Sequence, residues 1–149
     1  MTMLMAEEVG PIGTVYAVEI SSAFIDHIRR RAAAASLQNV RTVLCTQDSV
    51  ELSPQSIDLA FICDTYHHFE FPARTMKTIH RALRPGGRVV VVDFKRIPGL
   101  SREWILNHVR AGRQTVIDEI VNMGFELISD GDEVLFLEEN YLIQFRKPE

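Results

Sequence analysis

No apolar run in the 149-residue chain approaches the roughly 18 residues that a membrane-spanning helix needs. The opening stretch, MTMLMAEEVG, lacks the cationic flank and long apolar segment of a secretory leader. Both absences point to a cytoplasmic protein with no membrane partner. Basic excess is missing too. A formal net charge of −4 argues against nucleic-acid binding, which needs a positive footprint. The one basic cluster, Arg29, Arg30 and Arg31 with Arg41, reads as a solvated helix face. Cysteine is scarce: Cys45 and Cys63 have no C-x-x-C spacing, so they give neither a disulfide scaffold nor a metal signal. Both lie in strand-like runs and read as reduced, buried small hydrophobes. Repeats, low-complexity tracts and linkers are absent, which leaves residues 1–149 as a single domain.

A hydrophobic content of 46% with 24% charged residues supports a packed core. Met1 to Val9 reads as the end of a helix, with Met1, Met3 and Met5 as flexible core fill, Gly10 as its C-terminal cap and Pro11 as a stop. The run TVYAVEI predicts a strand. SSAFIDHIRRRAAAAS predicts a helix capped by Ser21 or Ser22, with Phe24, Ile25 and Ile28 on one face. Further strands follow at Val40–Cys45 and within IDLAFICDTYHHF, both apolar enough to be buried on two faces. Pro72 to Leu83 has helical spacing, with Met76, Ile79, Ala82 and Leu83 inward. Pro85 and two glycines then lead into a strand from Arg88 to Phe94. Two helical stretches between Ser101 and Met123 break near Gly112, and Gly124 ends the second. Trp104, Ile105 and Val109 share a face of the first. FELISD, a turn at Asp130, Gly131 and Asp132, and NYLIQFRK complete the chain. Alternating strands and helices predict a parallel sheet covered on both faces. The last two strands have no helix between them and must be antiparallel.

In this order the segments resemble the class I S-adenosylmethionine-dependent methyltransferases of the small-molecule, type 11-like kind. GTVYAVEIS resembles the second strand with its ribose-binding acid, here Glu19, followed by Ile20. CTQDS resembles the end of the third strand, with Asp48 and Ser49 beside the adenine amino group. IDLAFICDTYHHF resembles the fourth strand and the loop next to the methyl group, with Asp64 on the cofactor side and Tyr66 and His67 on the acceptor side. ALRPGGRVVVVDF resembles the helix-to-fifth-strand signature. The resemblance implies an α/β, three-layer Rossmann-like methyltransferase fold: a mostly parallel sheet with a C-terminal antiparallel hairpin. It also implies S-adenosylmethionine as cofactor and methyl transfer to a small-molecule acceptor.

The residues allow other readings at each of these positions. Glu19 suits a ribose diol at a strand end, or caps the following helix. Asp48 suits an exocyclic amine, or ordinary turn chemistry before Ser49. His67 can take a proton from an acceptor near neutral pH, but methyl transfer mainly needs alignment. His67 and His68 are adjacent and would diverge in an extended chain, so no metal ligands are assigned. Asp93, Phe94 and Lys95 line an acceptor pocket or cap a loop.

The family's first strand and its G-x-G-x-G loop do not occur before Glu19, and EEVGPIG is no substitute. The expectation is an N-terminally truncated domain with its first strand missing, weak or inactive as an enzyme. The strands holding Glu19 and Cys63 would then pair directly, or two chains would associate as a homodimer through those exposed edges. A non-catalytic interaction or dimerisation module derived from a methyltransferase is the alternative. A nicotinamide-dependent oxidoreductase, whose ribose Glu19 would also serve, is a second one.

Overall fold

The computed structural model describes residues 1–130 and 137–149. By their contacts they form two compact units, 1–51 and 52–149. No helix among the described residues is long and apolar enough to cross a membrane.

The first unit runs α1 (Thr2–Val9), β1 (Val15–Glu19), α2 (Ser22–Ala34), β2 (Val40–Leu44). A helical crossover makes the two strands parallel, in register from Val15 opposite Val40 to Glu19 opposite Leu44. At eight residues, α1 is too short to persist alone. Asn39 anchors its end, its side-chain N–H groups donating to the carbonyls of Ala6 (2.7 Å) and Gly10 (2.8 Å). Gly10 ends the helix with φ 68°, as expected. Gly13 is needed for a close pass, since a Cβ there would lie 2.8 Å from that of Val9.

Two expectations for this unit fail. Ala6 is the only buried residue of α1, and Met1 is exposed with Met3 and Met5 half-buried, so the methionines do not fill a core. Ile25 is buried in α2 but Phe24 is exposed, because the buried stripe continues through Ala32. The Arg29, Arg30, Arg31 and Arg41 side chains are exposed, as a solvated face requires.

The second unit contains β3 (Ile57–Cys63), a 3-10 turn (Tyr66–His68), α3 (Pro72–Ala82), β4 (Leu83–Phe94), α4 (Glu103–His108), α5 (Arg113–Asn122), β5 (Glu126–Ser129) and β6 (Asn140–Arg146). Its sheet has the order β3-β4-β6-β5. β3 and β4 are parallel, while β6 is antiparallel to both β4 and β5 and is the single reversed strand the sequence called for. Met76, Ile79, Ala82 and Leu83 are all buried. Gly112 precedes α5, and Gly124 follows it at φ 91°. Lys147 donates to the carbonyls of His80 and Leu83, satisfying the end of α3. Gly131 and Asp132 of the expected turn lie outside the described residues.

β4 starts at Leu83 rather than Arg88, because Ile57 pairs with Leu83 and Leu59 with Arg88, leaving residues 84–87 as a bulge. Gly86 at φ 73° makes that bulge possible. β2 and β3 are not buried on both faces: β2 has no buried residue and β3 only Ile62. Each has one strand neighbour among the described residues, so each lacks the covering side chains of a second. Among the described residues the Glu19 strand pairs with β2 and the Cys63 strand with β4, which are the ladders found in place of the expected joining of the two. Cys45 and Cys63 are free but half-buried. Partial burial, with Glu19 near Cys45 and Asp64 near Cys63, raises both thiols above their ordinary pKa.

Candidate functional site

In residues 1–51, two parallel strands deliver their C-terminal ends side by side. Glu19 closes β1, and the Cys45 N–H donates to its carbonyl at 3.0 Å. Its Oε1 accepts the Ser21 N–H at 2.8 Å, so the carboxylate, not a serine hydroxyl, satisfies the start of α2. Ile20, directly after it, is exposed. Beyond β2, Asp48 Oδ1 accepts the Thr46 hydroxyl at 3.0 Å, and Thr46 N–H donates to the Ser49 carbonyl at 3.0 Å. Ser49 Oγ accepts the Glu51 N–H. Both local roles allowed by the sequence, helix capping for Glu19 and turn formation for Asp48, are therefore present. Neither removes the carboxylates from the strand ends, where open α/β sheets bind ligands. A groove of about 370 Å³ lies instead along α2 and the N-terminal half of β2, lined by Arg29, Ala32, Leu37, Val40, Arg41 and Thr42. It contains none of the candidate residues.

In residues 52–149, the site residues follow β3. Asp64 has φ 47°, unusual for a residue with a side chain. Its N–H extends the ladder to the Val92 carbonyl, and its Oδ1 accepts Asn140 Nδ2 at 2.8 Å, which ties the end of β3 to the start of β6. Thr65 then returns its hydroxyl to the Cys63 carbonyl, and the chain turns into the short 3-10 segment.

That turn corrects one expectation. His67 and His68 do not diverge: their ring centroids are 4.0 Å apart, because the backbone is helical here rather than extended. Asp93, 1% exposed at the end of β4, fixes His67. One carboxylate oxygen accepts the His67 N–H at 3.0 Å, and the other lies 2.6 Å from Nδ1. A carboxylate partner makes Nδ1 the donor and leaves the Nε2 lone pair available. His108, the last residue of α4, completes the group, its centroid 5.1 Å from that of His67 and 4.9 Å from that of His68. Arg96 holds the end of α4 by donating to the carbonyls of Leu106 and Val109. Phe94 and Trp104 pack around the imidazoles. Desolvation, then the neighbouring His67 and His108, lowers the His68 pKa.

Tyr66 is fully buried. Its hydroxyl donates to Glu119 Oε2 at 2.9 Å, and Arg110 closes the same carboxylate with two hydrogen bonds at 2.7 and 2.8 Å. Burial first, then Glu119, pushes the phenol far above its ordinary range. Tyr66 is therefore built to brace the segment that carries His67. Reading the sequence singled out Asp93 but not its grip on His67. It missed His108, Asn39 and the Arg110–Glu119 pair, whose partners are distant along the chain.

Comparison with known proteins identifies the family and the fold. The family described as "Methyltransferase domain" matches residues 1–91. The chain belongs to this methyltransferase family. A curated relative, the chloroplastic 2-phytyl-1,4-beta-naphthoquinone methyltransferase of Arabidopsis thaliana, is 26% identical over 136 residues, covering 79% of this chain and 48% of the relative. A SAM-dependent methyltransferase from Aquifex aeolicus superposes with a TM-score of 0.86 at 14% identity, over 97% of this chain and 74% of that one. The [4+2]-cyclase SpnF superposes with a TM-score of 0.79, also at 14% identity, over 99% and 71%. These structural likenesses establish the Rossmann-like methyltransferase fold, a mixed, mostly parallel open sheet. The chain spans about half the length of the curated relatives it matches.

Proposed function

We propose that the protein acts in S-adenosylmethionine-dependent methyl transfer to a small-molecule acceptor, its 149 residues forming one methyltransferase-like domain in the cytoplasm. The observation that carries this reading is the parallel β1–β2 pair with Glu19 and Asp48 at its C-terminal ends. Glu19 with Ile20 would hold the ribose, Asp48 with Ser49 the adenine, and Asp64 belongs to the cofactor side. One oxygen of Glu19 is engaged by Ser21, and among the described residues the other remains for a diol. The residues present thus fit the nucleoside half of the cofactor, and residues 1–18 hold no G-x-G-x-G run for the methionine half. When bound, the cofactor supplies an electrophilic methyl group, and the protein's share is to align the acceptor and exclude water. Tyr66 and His67 stand on the acceptor side: His67 offers Nε2 to an acceptor hydroxyl or amine, and Tyr66 keeps its turn in place. The 149 residues alone would bind weakly and turn over slowly or not at all.

Titration of S-adenosylmethionine into the chain, followed by calorimetry, tests this. Heat that disappears in Glu19→Ala supports it, and no binding at millimolar cofactor rejects it for this chain.

A non-catalytic interaction module is the second reading, favoured by β1 and β3 each having, among the described residues, a ladder on one side only. Tyr16 and Leu59 on those strands are exposed. Such edges pair readily with another strand, including one from a second copy. The cofactor titration separates the two readings.

A further inference from the structure

We propose that His67, His68 and His108 form a binding site for a divalent transition metal of the zinc class, oriented by Asp93. One ring nitrogen from each histidine lies within 4.8 Å of the other two, a distance rotation of the two exposed rings can close. A tetrahedral zinc site with bonds of about 2.0–2.1 Å requires roughly 3.3 Å between nitrogens. The anchor is already set. His67 is buried and hydrogen-bonded through Nδ1 to Asp93, which leaves Nε2 as its ligand atom. A histidine whose second nitrogen is held by a carboxylate is the arrangement that metal sites use to fix the tautomer and strengthen the ligand. Among the described residues His68 and His108 make no ring-nitrogen hydrogen bond, so metal binding would break none. Phe94 and Trp104 supply the apolar surround that limits solvent access.

The donor set defines the ion. Three neutral imidazoles favour zinc, cobalt, nickel or copper over magnesium or calcium, which take oxygen ligands. Three protein ligands leave a further coordination position for water or a donor atom of a small molecule, as in open zinc sites. This proposal does not rest on cofactor binding, since all four residues lie in 52–149. With metal bound, His67 Nε2 is no longer available as a proton acceptor. The metal-bound and metal-free forms therefore present different acceptor sites.

Cobalt(II) titration of the full chain, read by its visible ligand-field bands, tests the site. Intense bands of a low-symmetry, four-coordinate ion are expected, saturating at one equivalent. His68→Ala and His108→Ala should each weaken binding at least about tenfold, and Asp93→Asn by about 10–100-fold. His27→Ala, an exposed histidine in 1–51, should change nothing. Both ligand positions are exposed, so their alanine variants are expected to fold, checked by circular dichroism. Zinc should raise the melting temperature of the parent chain and not of the double variant His68→Ala, His108→Ala. Weak octahedral-type bands only, equal affinity in the double variant, or an equal shift with magnesium would each overturn the proposal and leave the three rings as packing.

Discussion

Residues 1–51 and 52–149 are built from the same unit, parallel strands with a helical crossover, yet they bury very different things. Among the described residues, five of the buried hydrophobic side chains fall in the first and three of those are alanines, whereas nineteen fall in the second, including Tyr66, Met76 and Phe145. Small side chains return little on burial, at about 25 cal/mol per Å² of apolar surface. The second unit therefore carries the stability, and the first carries the acids proposed to hold the cofactor nucleoside. A site on the less stabilised region opens locally at lower cost than the core does.

The largest test of this contrast is in the core of the second unit. Phe145→Ala removes a fully buried ring from the reversed strand and should cost about 3–5 kcal/mol. Urea unfolding should show this as a large drop in midpoint. Leu44→Ala, at 55% exposure on β2, should stay within about 0.5 kcal/mol. Hydrogen exchange sharpens the same point: amides of β4 and β6 should be the best protected, and those of β1 and β2 should exchange faster. Equal protection would erase the distinction.

Asp93→Ala comes next. It leaves His67, its backbone N–H and the Phe94 N–H without their acceptor inside the core. Each buried donor left without its acceptor costs about 1–3 kcal/mol. Asp64→Ala offers a contrast, because it removes an exposed bond to Asn140 and should cost about 1 kcal/mol or less. Comparing the two melting curves separates a structural acid from a surface one.

In the first unit the corresponding residue is Asn39. Its alanine variant loses both bonds that hold α1 and should cost about 1–2 kcal/mol. The loss should appear as reduced helical circular dichroism and faster exchange in α1. The main unfolding transition should hardly move. A shift as large as that of Phe145→Ala would mean that the two regions are not energetically distinct.

The sequence revealed what depends on local pattern. Four valines before Asp93 announced β4, the closeness in sequence of FELISD and NYLIQFRK announced the reversed strand, and Gly112 and Gly124 marked the bounds of α5. Burial was less legible. An apolar run such as IDLAFIC is the same whether a strand has one neighbour or two, so the exposure of Leu59 could not be read from it. The RPGG bulge escaped because its pairing of Ile57 with Leu83 depends on a remote register. The placement of Glu19 and Asp48 at strand ends was legible because strand ends are. The histidine cluster was not, since it needs a 3-10 turn fixed by Asp93 and a third ring from α4. Extended geometry, the default for residues after a strand, gave the wrong directions for His67 and His68.

The smallest expected effect concerns pH and belongs to the second unit. Hydrogen bonds from Arg110, opposed by partial burial and aided by Tyr66, hold the Glu119 carboxyl below its ordinary 4.5. A carboxyl depressed in the folded state stabilises it above the unfolded pKa, and that contribution is lost as pH falls through the lower, folded value. Glu119 and Arg110 are each about a third exposed, so solvent screening limits the gain to about 1 kcal/mol or less. Glu119→Gln should flatten the acid limb of stability against pH below about 4.5 and lower stability at neutral pH by that amount. Exchange of α1 amides in the first unit should be unchanged by the substitution. An acid limb identical to that of the parent chain would mean that the Tyr66–Glu119–Arg110 bridge contributes nothing measurable to the second unit's advantage.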